Sequence, residues 1–241
     1  DLEYSRFAHQ ADAGRIEAAL DRVEGWLKLA RLDNAGKRLA LILSTYPGRD
    51  HQLAHAVGLD ALASCEEILS ALGAEGYAVE AADNIGLRLM EEELSVSLAD
   101  YAAALAQLPD PLREDLQAAW GAPEEDPDCR NGAFHFKALR AGTALIALQP
   151  ERGEVKTRVD DYHDLDRTPR HAYVAFYLWL QQQCDALIHI GAHGTLEWLP
   201  GKAVALSQDC WPEALTGTLP VAYPFIVNDP GEAAQAKRRI G

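Results

Sequence analysis

Short apolar runs alternate along the chain with longer stretches of mixed polarity. Apolar runs of five to seven residues, with β-branched or leucine side chains, are typical of strands buried inside a parallel sheet. The pattern predicts five such strands, at residues 38–44, 77–82, 143–149, 186–190 and 221–227.

The stretches between these runs favour helices. From residue 8 to residue 32, apolar side chains recur at three- and four-residue steps on one face; they are Ile16, Leu20, Val23, Leu27 and Ala30. A second helix begins at a cap, Asp60 or Ser64, and ends near Gly73 and Gly76. Further helices are predicted at 91–106, 111–120, 170–184 and 232–240. In the 170–184 helix an aromatic stripe indicates a core-facing surface.

Strands that alternate with helices predict an α/β fold, with a mostly parallel sheet, flanking helices and Rossmann-like βαβ units. We expect an N-terminal helical segment at 1–37 and a first α/β unit with a helical insertion at 38–120. A proline-rich and acidic stretch opens a predicted linker at 121–142, and a second α/β unit follows at 143–241. Since the last predicted helix is only a few turns long, we expect a fragment of a longer polypeptide.

Composition narrows the class of protein. The 241 residues include 22 Lys and Arg against 37 Asp and Glu, a formal charge of −15, which argues against a nucleic-acid partner. No apolar run approaches the roughly 20 residues of a membrane span. The four cysteines are far apart and form no C-x-x-C pair, so we expect reduced thiols in a cytoplasmic protein.

The candidate chemistry follows the predicted strands, because open α/β sheets bind ligands beyond the carboxyl ends of their strands. The densest segment, residues 189–202, contains His189, His193 and Glu197. Imidazole and carboxylate groups together bind borderline divalent metals such as Co²⁺ or Zn²⁺. The alternatives are that His189 is a core histidine and that Glu197 only complements a helix dipole.

A second segment, residues 228–232, resembles a helix start. Asp229 as the cap, Pro230 as the first helical residue and Glu232 two residues later form a capping pattern. From this pattern alone, capping explains Glu232 better than catalysis does. Phosphate-binding and dinucleotide-binding glycine motifs are absent from the sequence.

The string HIGAHGTLEWLPGK at 189–202 resembles a segment of the CobN-type large subunit of aerobic cobaltochelatase. A related version occurs in magnesium chelatase, in its H-type large chain, and Trp198 followed by Leu199 favours the cobalt branch. Collinear matches are LALILSTYPGRD (39–50), GLDALAS (58–64), ALQPERG (147–153), YHDLDRTPRHAYVAFYLWL (162–180) and NDPGEAAQAKRR (228–239).

The resemblance implies insertion of Co²⁺ into hydrogenobyrinic acid a,c-diamide during cobalamin biosynthesis. In this family the large subunit binds the tetrapyrrole and the metal. ATP and Mg²⁺ are bound by an AAA+ ATPase and companion chelatase subunits. The missing phosphate-binding loop agrees with that division.

The resemblance also assigns roles. Glu197, Glu232 and His193 are the candidate catalytic residues, as metal-delivering or proton-accepting groups. The predicted metal ligands are His189, His193, Glu197 and His171, and the predicted tetrapyrrole contacts are Lys202, Arg170 and Trp198. Three other functions stay open: a magnesium chelatase H-type subunit, a non-catalytic corrinoid- or cobalt-binding module, and a zinc metallohydrolase.

Overall fold

The computed structural model describes residues 10–44, 55–56, 59–153, 164–191, 195–224 and 230–239. The helices are α1 (Ala13–Arg31), α2 (Ala61–Ala74), α3 (Ile85–Glu91), α4 (Leu98–Leu105), α5 (Asp110–Trp120), α6 (His171–Gln183), α7 (Trp211–Thr216) and α8 (Pro230–Arg239). The strands are β1 (Leu39–Leu43), β2 (His55–Ala56), β3 (Leu59–Asp60), β4 (Glu93–Ser97), β5 (Cys129–Arg130), β6 (Ala133–Ala141), β7 (Ala144–Leu148), β8 (Ala186–Ile190) and β9 (Val221–Ala222). No helix in the described ranges is long and apolar enough to cross a bilayer.

Seven of these strands form one mixed sheet in the order β4-β6-β7-β1-β8-β9, with β5 paired to β6. Strands β7, β1, β8 and β9 run parallel, whereas β6 is antiparallel to both β7 and β4. The predicted α/β class is confirmed, and the parallel half of the sheet is the half that the apolar runs predict. Strands β2 and β3 form a separate antiparallel pair.

Strand β1 lies in the middle of the sheet and is buried on both faces. Ala40 and Ile42 face a core that includes α6, while Leu39, Leu41 and Leu43 face a core that includes α2 and α3. A strand covered by helices on both sides must be apolar at every position, which explains its continuous run of leucine, isoleucine and alanine. The aromatic stripe of α6 is also core: Tyr173, Phe176, Tyr177 and Leu180 are fully buried.

Several predicted elements differ from the structure. The helix predicted at 91–106 is wrong, because α3 ends at Glu91 and strand β4 intervenes before α4. Leu94 and Val96 alternate with polar residues, which is the period of a strand, and Ser97 then caps α4 by accepting a hydrogen bond from the N–H of Asp100 at 3.0 Å.

The stretch predicted as a linker, 121–142, contains the longest strand of the sheet. In β6 the buried residues Phe134, Phe136 and Ala138 alternate with the half-buried His135 and Lys137. Because β1 pairs with both β7 and β8, the two predicted α/β units share one sheet.

The strand predicted at 77–82 is reduced to one bridge, between Val79 and Gly142. The run predicted at 221–227 begins as β9, and its residues 225–227 lie outside the described residues.

The α2 helix is capped by Asp60, which accepts a hydrogen bond from the N–H of Ala63 at 3.0 Å, rather than by Ser64.

Helix α1 forms where it is predicted, but its apolar stripe points to solvent. Ile16, Leu20, Val23 and Leu27 of that stripe are between 46% and 60% exposed. On the inward face Arg15 binds Glu213, Gly25 lies directly against the carbonyl of Thr218, and Leu29 packs against the core that includes α2 and α3.

Candidate functional site

The carboxyl ends of the parallel strands meet at one edge of the sheet, and each ends next to a polar residue. Ser44 follows β1, Gln149 follows β7 and Tyr223 follows β9, while His189 lies next to the last residue of β8. The ladder continues past the strands, since the N–H of Ser44 donates to Ile190 O at 3.0 Å and that of Gln149 to Leu43 O at 2.9 Å. This edge is where open α/β sheets bind ligands.

Glu197 lies just beyond this edge, on a 3₁₀ turn at Leu196–Trp198. Its side chain is fully buried, and its Oε1 accepts a hydrogen bond from the Tyr223 hydroxyl at 3.0 Å. The structure therefore has only a single short turn where the helix-dipole alternative for Glu197 needs a helix. A three-residue turn has no appreciable macrodipole, so the dipole explanation for Glu197 fails.

The backbone of the Glu197 turn is held from two sides. From α8, Arg239 Nη1 and Gln235 Nε2 both donate to the carbonyl of Glu197, at 2.8 Å and 3.2 Å. From the other side, Arg152 Nη1 donates to the carbonyl of Trp198 at 2.9 Å. Charged donors to buried carbonyls are strong hydrogen bonds, so these contacts fix where the buried carboxylate sits.

A buried polar triangle joins β7, α6 and the turn. Gln149 Nε2 donates to the hydroxyls of Tyr173 and Thr195, and these two hydroxyls bond to each other; all three distances are 2.7 Å. Burial is the main cause that raises the pKa of the Tyr173 phenol, so this hydroxyl stays protonated. The rings of the α6 aromatic stripe thus pack in the core, while the Tyr173 hydroxyl belongs to the site.

His189 is fully buried, and both ring nitrogens have hydrogen-bond partners: Nδ1 with Ser44 Oγ at 3.4 Å and Nε2 with the Tyr177 hydroxyl at 3.2 Å. The Tyr223 ring packs against it at a centroid distance of 5.2 Å. Burial lowers the pKa of His189 to about 3, so the ring is neutral near neutral pH. This geometry is that of the core-histidine alternative.

His171 and Arg170 lie at the start of α6 and are bound within the protein. The carbonyl of Gly121 accepts from His171 Nε2 at 3.0 Å, which leaves Nδ1 of the neutral ring to accept from the Tyr101 hydroxyl at 2.7 Å. Burial lowers the pKa of His171. Arg170 pairs with Asp126 and Asp128, so its charge is balanced without a ligand.

The other predicted residues divide in two groups. Lys202 is exposed and Trp198 is half-buried. His193 lies outside the described residues, and Glu232 is in the first turn of α8 with a side chain that is not described. Within the described ranges no group of three or more His, Cys, Asp or Glu side chains is arranged to hold a metal ion. The predicted ligand set is therefore not assembled from the described residues alone.

Sequence reasoning missed Ser44, Gln149 and Tyr223, although they lie at the predicted edge. All three fall within predicted strands, at or near the strand ends. The available signal was polarity at the end of an apolar run. It also missed Arg239, which by pattern belongs to a solvated face of the last helix but is buried.

The fold is that of an α/β protein whose parallel strands end beside a buried carboxylate, at the edge where proteins of this class bind ligands. The sequence profile of the CobN/Magnesium Chelatase family matches residues 3–241, and the chain belongs to that family. Aerobic cobaltochelatase subunit CobN of Pseudomonas aeruginosa is 44% identical over 95% of this chain. The H-type subunit of magnesium chelatase from Chlorobaculum parvum is 32% identical over 94% of it.

Among solved structures, the catalytic subunit of cobaltochelatase from Mycobacterium tuberculosis is similar over 95% of this chain, with a TM-score of 0.83 and 36% sequence identity. The chain spans about a fifth of these proteins: 20% of each of the two sequence relatives and 21% of the solved chain.

Proposed function

We propose that this chain is the part of a cobaltochelatase large subunit that binds tetrapyrrole and metal at the Glu197 turn. The reaction is insertion of Co²⁺ into hydrogenobyrinic acid a,c-diamide, with ATP and Mg²⁺ bound by an AAA+ ATPase and companion subunits. The observation that carries the proposal is the buried Glu197 carboxylate at the carboxyl edge of the sheet, inside the HGTLEWLPGK segment.

Metal insertion has two chemical requirements. The Co²⁺ ion must lose water ligands, and the pyrrole N–H protons must leave as the Co–N bonds form. A carboxylate serves both, because it binds borderline cations and accepts protons. In Glu197 the Tyr223 hydroxyl orients the carboxylate, and Arg239, Gln235 and Arg152 hold the turn that carries it.

The remaining residues act around that carboxylate. His193 and Glu232 are the proposed further metal-delivering or proton-accepting groups. Exposed Lys202 binds the acidic periphery of the tetrapyrrole, and Trp198 packs against the ring. For His189 to bind metal, its ring nitrogens must first leave the hydrogen bonds to Ser44 and Tyr177. For His171 the bonds to leave are those to Tyr101 and Gly121. Arg170 can contact the substrate after it is released from Asp126 and Asp128.

Cobalt is favoured over magnesium by two observations. The identity to the CobN relatives, 44% and 41%, exceeds the 32% and 29% to the H-type subunits of magnesium chelatases. The Trp198-Leu199 pair agrees with the cobalt branch. Magnesium insertion into protoporphyrin is the alternative.

The first experiment is a tryptophan-fluorescence titration of this chain with hydrogenobyrinic acid a,c-diamide and, in parallel, with protoporphyrin. All five tryptophans report, and Trp198 lies in the motif itself. Saturable quenching by the corrinoid with little by the porphyrin is the expected result. Preference for the porphyrin would move the assignment to magnesium, and no quenching by either would overturn tetrapyrrole binding by this chain.

The second experiment tests Glu197 in the full-length subunit with its ATPase partners. Glu197→Gln keeps the shape and the hydrogen bond from Tyr223 but removes the charge, so insertion is lost while tetrapyrrole affinity changes less than several-fold. The matched control is Glu67→Gln, on the exposed side of α2. Full activity in Glu197→Gln refutes the role of this residue, and binding without insertion in the unmodified protein indicates the non-catalytic module.

A further inference from the structure

Cys210 differs from the other three cysteines of the chain. Burial raises the pKa of Cys65 and Cys184 to about 12 and also raises that of Cys129. Cys210 is equally buried, but its sulfur accepts hydrogen bonds from the backbone N–H groups of Lys202 and Ser207, each at 3.3 Å, and contacts the Ser207 hydroxyl at 3.5 Å. Such an environment resembles that of an anion.

Arg239 of α8 brings a buried positive charge to the same place. The residue is only 2% exposed, and its Nη1 donates to the carbonyl of Glu197. Its Nε and Nη2 are buried and have no hydrogen-bond partner within the described part of the chain. An arginine stays protonated, so a buried guanidinium with two unused donors favours further negative charge nearby.

Both groups lie next to Gly201. A methyl group placed on this glycine would lie 3.1 Å from Cys210 Sγ and 3.2 Å from Arg239 Nη2. The sulfur and the guanidinium therefore converge on one point, between the Gly201 loop, the start of α7 and the end of α8.

We propose that Cys210 is a thiolate in the folded protein and a second counter-ion of Arg239 beside the Glu197 carboxylate, so that charge attraction next to Gly201 helps to hold α8 against the Glu197 turn. The pair is a positioning device: Arg239 donates to the Glu197 carbonyl through Nη1, and its Nη2 lies beside Gly201, as the sulfur does. It does not depend on the proposed chelatase function.

The charges around the sulfur agree with this assignment. Burial alone raises the pKa of the Cys210 thiol, but the hydrogen bonds from Ser207 and Lys202 and the Lys202 charge outweigh it, and the pKa falls below the ordinary thiol value. From α1, Arg15 also faces the sulfur, although its charge is largely taken by Glu213 of α7. Asp209 is exposed, and the Glu197 carboxylate is the other anion that faces Arg239.

The test measures thiolate absorbance in the far ultraviolet between about pH 5 and pH 11, a range that covers the ordinary thiol pKa. The difference between the unmodified chain and Cys210→Ser reports the Cys210 sulfur, since the tyrosines and tryptophans cancel. We expect a single ionisation below the ordinary thiol range. The matched control, the difference between the unmodified chain and Cys184→Ser, stays flat until strongly alkaline pH.

Two arginine variants test the pairing. Arg239→Met removes the cation and moves the Cys210 midpoint upward by about one pH unit or more, whereas Arg239→Lys keeps a cation and most of the effect. An ionisation of Cys210 at or above the ordinary thiol pKa, or the same midpoint in both arginine variants, overturns the proposal. If Cys210→Ser or Arg239→Met does not fold, the unmodified chain still decides, because the other three thiols titrate later and its first ionisation step is that of Cys210.

Discussion

Tyr223 connects the two most distinctive side chains of the site. Its hydroxyl binds Glu197 Oε1, and its ring packs on the imidazole of His189. The Glu197 carboxylate and the His189 ring, both fully buried, thus share a contact with one half-exposed tyrosine at the end of β9. The position of the Glu197 carboxylate is therefore set by a residue outside the HGTLEWLPGK segment.

Tyr223→Phe removes this hydroxyl and keeps the ring. We expect the free energy of unfolding to fall by about 1–3 kcal/mol, because a buried carboxylate oxygen loses its donor. Urea denaturation at neutral pH measures the change. The control is Tyr77→Phe: that ring is half-buried, and its hydroxyl has no hydrogen-bond partner in the ranges described, so we expect a change within about 0.5 kcal/mol. Equal losses in the two variants would contradict the role given to Tyr223.

At the residue scale, the sequence located the site edge better than it located the residues that build it. Glu197 and His189 were predicted at this edge, and they lie there. Tyr223, Gln149 and Ser44 were not, because the direction of a side chain at a strand end depends on where pairing stops, and pairing is a long-range property. The internal partners of His189, His171 and Arg170 come from distant segments and have no local signal.

At the scale of elements, hydrophobic periodicity predicted a strand correctly where the segment shows a single pattern. It failed where a strand pattern lies beside a helical or acidic stretch. The parallel strands β1, β7 and β8 have continuous apolar runs and were predicted nearly to the residue. Strands β4 and β6 alternate with period two but lie beside helical or acidic stretches, which obscured them. The antiparallel half of the sheet was therefore absent from the predicted fold.

Helix α1 shows that a correct period does not say which side a helix buries. Its predicted apolar stripe is exposed, and the helix is attached through Arg15, Lys28, Leu29 and the contact of Gly25 with Thr218. A Cβ atom at position 25 would lie 2.2 Å from the carbonyl oxygen of Thr218, which is far inside contact distance. Only glycine allows this approach.

We therefore expect Gly25→Ala to separate α1 from the loop before β9 and to lower the free energy of unfolding by about 1–3 kcal/mol. Gly14→Ala is the matched control on the same helix. Its new methyl group would meet only Asp12 Oδ1, at an ordinary 3.5 Å, so the better helix propensity of alanine raises stability by about 0.5–1 kcal/mol. Thermal and urea unfolding of both variants check the opposite signs, and a stabilised Gly25→Ala protein would show that α1 is not docked there.

Across the whole molecule, the two edges of the parallel sheet have different tasks. The carboxyl edge holds the site, while the amino edge holds a network of charges centred on Asp185, the residue before β8. Asp185 binds Arg38 in front of β1 through the backbone N–H and the guanidinium, each at 3.0 Å, and binds Lys28 of α1 at 3.0 Å. Helix α1 and the start of β1 are thus joined to the distant strand β8 at this carboxylate, which lies at the edge away from the site.

Asp185→Asn tests that network and its pH dependence. Burial alone raises the pKa of the Asp185 carboxyl, but the hydrogen bonds from Arg38 and Lys28 outweigh it and lower the pKa to about 2. The folded state therefore holds this group ionised at pH values where the unfolded state protonates it. Its contribution is complete above the ordinary carboxyl pKa of about 4 and is lost as the pH falls toward 2.

The expected cost of Asp185→Asn at neutral pH is about 2 kcal/mol in the free energy of unfolding, and it shrinks as the pH falls from about 4 to about 2. Urea denaturation of the unmodified and variant chains at a series of pH values measures this difference. The control is Asp110→Asn, whose partner Arg113 is exposed on the same helix, so we expect no more than about 0.5 kcal/mol at any pH. A cost for Asp185→Asn that is independent of pH would mean that packing, and not the charge network, is what Asp185 contributes at the amino edge of the sheet.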